Sequence, residues 1–189
     1  MQEIWKDIPD YEGLYQVSNL GRVKSLDRAI EYSNGKTVFT KGKIIKQNKD
    51  KHDRLRLRLS KNNKGKNYFV HTLVALAFIG DRPDGYVVAH CDGNNNNNKL
   101  SNLRYDTITE NAIDMYRHGK KVSIGKFSIE DVIEIRRLYE NNIFNSVELA
   151  EKYDVRHSTI GKIVRRETFT WLNDDGTIKE STTATTFKK

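Results

Sequence analysis

The run Arg54-Leu55-Arg56-Leu57-Arg58-Leu59-Ser60 alternates charge and aliphatic without a break. A period of two belongs to extended backbone, where successive side chains leave opposite faces. Arg54, Arg56 and Arg58 therefore share one face and Leu55, Leu57 and Leu59 the other. The leucines require a core beneath them. Three guanidinium groups in a row repel one another, so that face is either solvated or laid against an anion such as a phosphate backbone. A shorter alternation, Arg22-Val23-Lys24-Ser25-Leu26, follows a turn predicted at Asn19 to Gly21. With Trp5, Ile8, Tyr11, Tyr15 and Val17 before it, residues 1–60 read as a small antiparallel β module.

The next segment, 61–120, mixes periods. His71 to Phe78 reads as a short buried helix leaving a strand, and G-D-R-P-D-G then marks a turn. Tyr86 to His90 forms a strand, C-D-G followed by five asparagines a polar loop, and Leu103 to Tyr105 a second strand. Asparagine suits such a loop because it tolerates left-handed backbone and bonds its own main chain. A helix then starts at Thr107, with Glu110 completing a capping box, and stops at Gly119.

Residues 121–127 read as a linker into a helical segment, 121–172. Ser128 and Asp131 open its first helix, Val132, Ile135, Leu138 and Tyr139 share one face, and Asn141-Asn142 ends it. A second helix buries Leu149, Ala150 and Tyr153. Asp154 takes the turn, where positive φ is needed, and a third helix buries Ile160, Ile163 and Val164. That spacing is a helix-turn-helix. The tail, 173–189, is polar, with a tight turn at Asp174-Asp175-Gly176. The fold class expected is α+β: a β module, a central ββα unit and a C-terminal helix-turn-helix.

A net charge of +8 favours polyanionic partners. The single cysteine, Cys91, excludes an internal disulfide framework and any multi-cysteine zinc site, which suits a reducing cytoplasm. No apolar run approaches the roughly 18 residues of a membrane span, and the first residues lack a secretion signal. A membrane partner is not expected.

Three motifs stand in order along the chain: E-I-W-K-D-I-P-D-Y-E-G-L-Y-Q-V-S-N-L-G-R-V-K-S-L at 3–26; V-V-A-H-C-D-G-N at 87–94 with N-N-K-L-S-N-L-R at 97–104 and T-E-N-A at 109–112; and V-R-H-S-T-I-G-K-I-V-R-R at 155–166. The middle group resembles the HNH endonucleases of phages and mobile introns. The first resembles the N-terminal module (NUMOD) of homing-type members, and the last the helix-turn-helix that often follows. The resemblance implies a central ββα-metal unit, with His90 as general base, Asn102 holding the other imidazole nitrogen through its amide oxygen, and Asn111 binding one divalent metal ion, Mg2+ or Mn2+. A histidine alone is more often structural than catalytic; the ordered strand, loop, strand and capped helix reverse that weighting for His90. His71, beside a buried run, reads as structural, with a supporting or DNA-contacting role open.

One position departs from the pattern. Well-understood phage members carry a metal-binding aspartate directly before the histidine, and here Ala89 stands there. Water, substrate phosphate and Asp92 complete the shell, or the centre is weak, or the alanine is an inactivating replacement. Double-stranded DNA is the expected partner. His157, Ser158, Thr159 and Lys162 would face the major groove, and Arg165, Arg166, Arg22, Lys24 and the arginine strand (Arg54, Arg56, Arg58) the phosphates. One centre and no dimerisation signal point to a monomeric nickase. The rival is a DNA-binding regulator on an inactive HNH scaffold; an RNA-binding role is disfavoured by the lack of an aromatic stacking motif.

Overall fold

The computed structural model describes residues 2–31, 34–120 and 123–179. Its contacts divide into two compact units, residues 1–114 and 115–189. The sequence reading expects a break near residue 60; the first unit runs across it.

In that unit β1 (Trp5–Asp7), β2 (Tyr15–Ser18) and β3 (Val23–Ser25) form an antiparallel sheet in that order. The β2–β3 turn lies where the sequence places it. Ser18 Oγ accepts from Leu20 N and Arg22 N, and Gly21 adopts φ +83°. A hairpin of β4 (Arg28–Glu31) and β5 (Thr37–Thr40) follows. Next comes a second antiparallel sheet of β6 (Asn48–Lys49), β7 (Leu55–Lys61) and β8 (Lys64–Phe69). The alternating run is β7, with Leu57 and Leu59 buried and Arg56 and Arg58 exposed. Asn62 and Asn63, both at positive φ, turn it tightly into β8.

β8 passes directly into α1 (Val70–Phe78), which buries Val70, Leu73, Val74 and Ala75. β9 (Tyr86–His90) and β10 (Leu103–Thr107) pair antiparallel, with Leu103 opposite His90 and Arg104 opposite Ala89. A single 3-10 turn at Leu100–Asn102 leads into β10. α2 (Ile108–Arg117) follows at once. Thr107 Oγ1 caps it by accepting from Glu110 N, but Thr107 N is held by Asp106 Oδ1 rather than by the expected glutamate. One core joins the two three-stranded sheets, α1 and the β9–β10 pair: Ile8, Tyr15, Val17 and Val23 pack with Leu57, Leu59, Val70, Leu73, Val74 and Leu103. Each such aliphatic contributes about 1.5–3 kcal/mol on burial. The N-terminal strands and the β9–β10 pair therefore stand on one foundation.

The second unit opens with β11 (Ser123–Ile124) and β12 (Phe127–Ser128), a small hairpin with Phe127 buried where the sequence suggested a linker. Residues 121 and 122 of that stretch lie outside the described residues. α3 (Ile129–Glu140) carries the full capping box of Ser128 and Asp131. α4 (Ser146–Lys152) has a second box, Asn145 with Glu148, that the sequence reading overlooked. Asp154, at φ +48°, makes the turn into α5 (His157–Val164). Leu149, Ile160 and Ile163 meet Val132 and Ile135 in its core. The segment from Leu172 folds back through Gly176 to pair with Ile178; the rest of the tail, from 180, lies outside the described residues. No helix among the described residues is long and apolar enough to cross a membrane.

Candidate active site around His90

His90 ends β9 on the face that looks toward α1, opposite Leu103 of the core. Its ring is half-buried. His71, from the first turn of α1, meets it edge-on at 5.2 Å between centroids. Phe69 stacks on His71 at 5.4 Å, and the Arg54 guanidinium lies 4.5 Å from the Phe69 ring centre. His71 Nδ1 is buried with no hydrogen-bond partner. Burial above all, with His90 and Arg54 nearby, pushes its pKa down to about 4. His71 is a neutral wall at neutral pH.

The imidazole bond that the resemblance gives to Asn102 is made by Asn98. Its Oδ1 lies 3.0 Å from His90 Nε2. Asn102 instead knits the loop: its Oδ1 accepts from Asp92 N at 3.0 Å, and its Nδ2 donates to Asp92 Oδ1 and to the Asn97 carbonyl. The sequence could not single out Asn98, one asparagine among five, because only the folded loop distinguishes it.

Asp92 belongs to the same knot. Oδ1 accepts from Asn94 N as well as Asn102, and Oδ2 accepts from Asn97 Nδ2 at 2.6 Å. Desolvation raises its pKa, but these bonds and the nearby His90 outweigh that and hold it at about 2. Serving as a metal ligand would cost it loop bonds. Ala89 is 2% exposed and offers no donor. Asn111 sits half-buried on the first turns of α2. Among the described residues no group of three or more His, Cys, Asp or Glu side chains converges as a metal site. One neutral amide oxygen suits a hard, largely hydrated ion such as Mg2+ or Mn2+ and would be a poor zinc site.

Beside Ala89, Arg104 is gripped by Asp106 and by Asp114 of α2 and also reaches Cys91 Sγ. Burial opposes its charge, yet Asp114, Cys91 and Asp106 raise its pKa above the ordinary value. This network ties β10 to α2.

The DNA-contacting candidates separate into two groups. Arg56, Arg58, Lys162, His157 and Ser158 are exposed, and Thr159 is half-buried. Others have acidic partners within the protein. Arg54 pairs with Asp50, Arg165 with Glu167, and Arg166 with Glu140 and Asp174. Arg22 is bound to Glu3, whose pKa that bond holds at about 2, and both Arg22 and Lys24 lie over the Trp5 ring. The arginine face is thus neutralised from inside at Arg54, where the sequence suggested a face solvated or laid against phosphate throughout.

Comparison with known proteins fits this geometry. The chain matches the NUMOD4 motif over residues 3–73 and an HNH endonuclease family over residues 68–113. DNA endonuclease I-HmuI of Bacillus phage SP01 is 40% identical over 115 residues, covering 61% of this chain and 59% of that protein. An uncharacterized HNH endonuclease of Acanthamoeba polyphaga mimivirus is 35% identical over 117 residues, covering 62% of this chain and 31% of its own. The chain therefore spans about three fifths and about a third of these two relatives. YosQ, an SPbeta prophage-derived protein of Bacillus subtilis (strain 168) named as an HNH homing endonuclease, is 34% identical over 127 residues, with 62% of this chain and 70% of YosQ covered. A solved structure described as DNA binding and cleavage by the HNH homing endonuclease I-HmuI superposes with a TM-score of 0.51 at 36% identity, covering 71% of this chain and 68% of that one. Fold, ordered motifs and these likenesses agree: the chain belongs to the HNH homing endonuclease family.

Proposed function

We propose that this protein is a DNA endonuclease that hydrolyses phosphodiester bonds in double-stranded DNA with one Mg2+ or Mn2+ ion, acting as a monomeric nickase. The observation that carries the reading is His90, a half-buried imidazole at a strand end with one nitrogen bonded to the loop. With Nε2 engaged by Asn98, Nδ1 takes the proton of an attacking water; the water oxygen bonds to phosphorus and the 3′ oxygen leaves. Asn111 would hold the ion through its amide oxygen. The ion, when bound, offsets the charge of the crowded phosphate and assists the departing oxygen.

The flanking parts supply position. Arg56 and Arg58 on β7 meet the phosphate backbone, and α5 presents His157, Ser158, Thr159 and Lys162 to the major groove as the second helix of a helix-turn-helix. Arg165 and Arg166 contribute to phosphate binding only where DNA displaces their carboxylate partners.

Supercoiled plasmid incubated with Mg2+ or Mn2+ tests the reading. The intact protein is expected to convert it to nicked circles, and His90→Ala to leave it supercoiled. Equal products from both would refute the assignment. Ala89 favours one alternative, a DNA-binding regulator on an inactive scaffold; that protein would retard DNA in a gel at every metal concentration and nick none.

A further inference from the structure

We propose that Asn98 is the residue that orients His90 for proton transfer, and that the Gly21 turn of the N-terminal sheet holds Asn98 in place. The proposal rests on the nuclease reading for its purpose, but its geometry stands apart from it. An amide oxygen carries no proton, so with Asn98 Oδ1 3.0 Å from Nε2 the imidazole must donate there. The proton on Nε2 leaves the lone pair on Nδ1. His71 packs edge-on against the same ring, 5.2 Å between centroids.

Asn98 is itself fixed. It is 3% exposed, while Asn94 in the same run is exposed. A β-carbon placed on Gly21 would lie 2.9 Å from Asn98 Cβ and 3.0 Å from its carbonyl oxygen, so the turn fits against the asparagine only because Gly21 has no side chain. Gly21 also needs its left-handed backbone, φ +83°. Two bonds hold the arrangement on either side: Leu100 N donates to the Asn19 carbonyl at 2.8 Å, and Gln47 Nε2 to the Gly21 carbonyl at 2.8 Å. Asn98 Nδ2, meanwhile, is buried without a partner. An orphaned buried donor is costly, and a leucine of similar size would avoid it. The oxygen is what the site needs from this residue.

The test is the imidazole tautomer of His90 in the 15N-labelled protein, read by long-range proton–nitrogen correlation without DNA or metal. The intact protein should show only the Nε2–H form, with a protected Nε2 proton. Asn98→Leu should give mixed tautomers and rapid proton exchange, whereas Asn98→Asp, which keeps an acceptor, should restore the single form. Gly21→Ala should reproduce the Asn98→Leu spectrum with the asparagine still present; if it does not fold, the Asn98 pair decides. In plasmid nicking, Asn98→Leu should lower kcat about tenfold or more at unchanged KM, within the range a general base contributes. An Nδ1–H form in the intact protein, or an Asn98→Leu spectrum like the parent's, overturns the proposal. The expected spectra combined with no nicking by the intact protein would overturn the nuclease reading alone.

Discussion

His71 occupies a buried position that only its neutral form tolerates, and this makes it measurable. Its pKa in the folded chain is about 4, against 6.5 in the unfolded chain. The native state therefore refuses a proton that the unfolded state accepts. Stability from this site is fully present above pH 6.5 and declines as pH falls toward 4. Asp50 and Asp92, held at about 2, titrate below that window. Denaturant titration at pH 7 and pH 4.5 should show the parent losing about 2–3 kcal/mol more than His71→Gln. Parallel pH curves would mean that the ring is protonated in place. Residue by residue, the sequence placed His90 at a strand end, Asn102 beyond the polar loop and Asn111 on the following helix, and the structure holds them in those elements. The sequence could not reveal which asparagine touches the imidazole, or that Asp92 faces inward to the loop, since both depend on how the loop closes.

Elements were more legible than their joints. The strand at 86–90, the Ser128 cap and the positive φ of Asp154 follow from local chemistry that the sequence displays. The Asn62-Asn63 turn joining β7 to β8 was equally local and could have been found, since paired asparagines suit two left-handed residues. Arg136 is different. It sits in α3 at 1% exposure, and its guanidinium donates to the carbonyls of Ile163, Thr168, Phe169 and Leu172 and to Asp174. It ties the end of α5 and the returning segment to α3, a role no helical periodicity announces between Ile135 and Arg137. Arg136→Met strands those carbonyls, each costing about 1–3 kcal/mol. Amide hydrogen exchange in residues 157–172 should then accelerate at least about 100-fold, while β7 and α1 keep their protection. Unchanged exchange in α5 would show that the guanidinium is dispensable.

For the molecule as a whole, the net charge of +8 predicts DNA affinity that falls steeply with salt, but its arginines contribute unequally. Arg56 is exposed on β7, whereas Arg54 is paired with Asp50 and packed on Phe69. Arg56→Gln should lower the slope of log K against log salt by about 1, uniformly across DNA sequences. Arg54→Gln should leave that slope nearly unchanged. Equal slopes for both variants, or sequence-selective loss with Arg56→Gln, would assign the two residues differently. The three-part plan inferred from sequence follows motif boundaries; the shared core was invisible because strands far apart in the chain supply it. That core bears on how such nucleases can be recombined. A graft that exchanges residues 1–60 for the corresponding part of a relative also replaces Gly21, against which the loop of His90 is seated. Exchanging that stretch therefore also disturbs the loop that touches His90, and the shared core argues for moving the N-terminal strands together with the ββ hairpin they pack on.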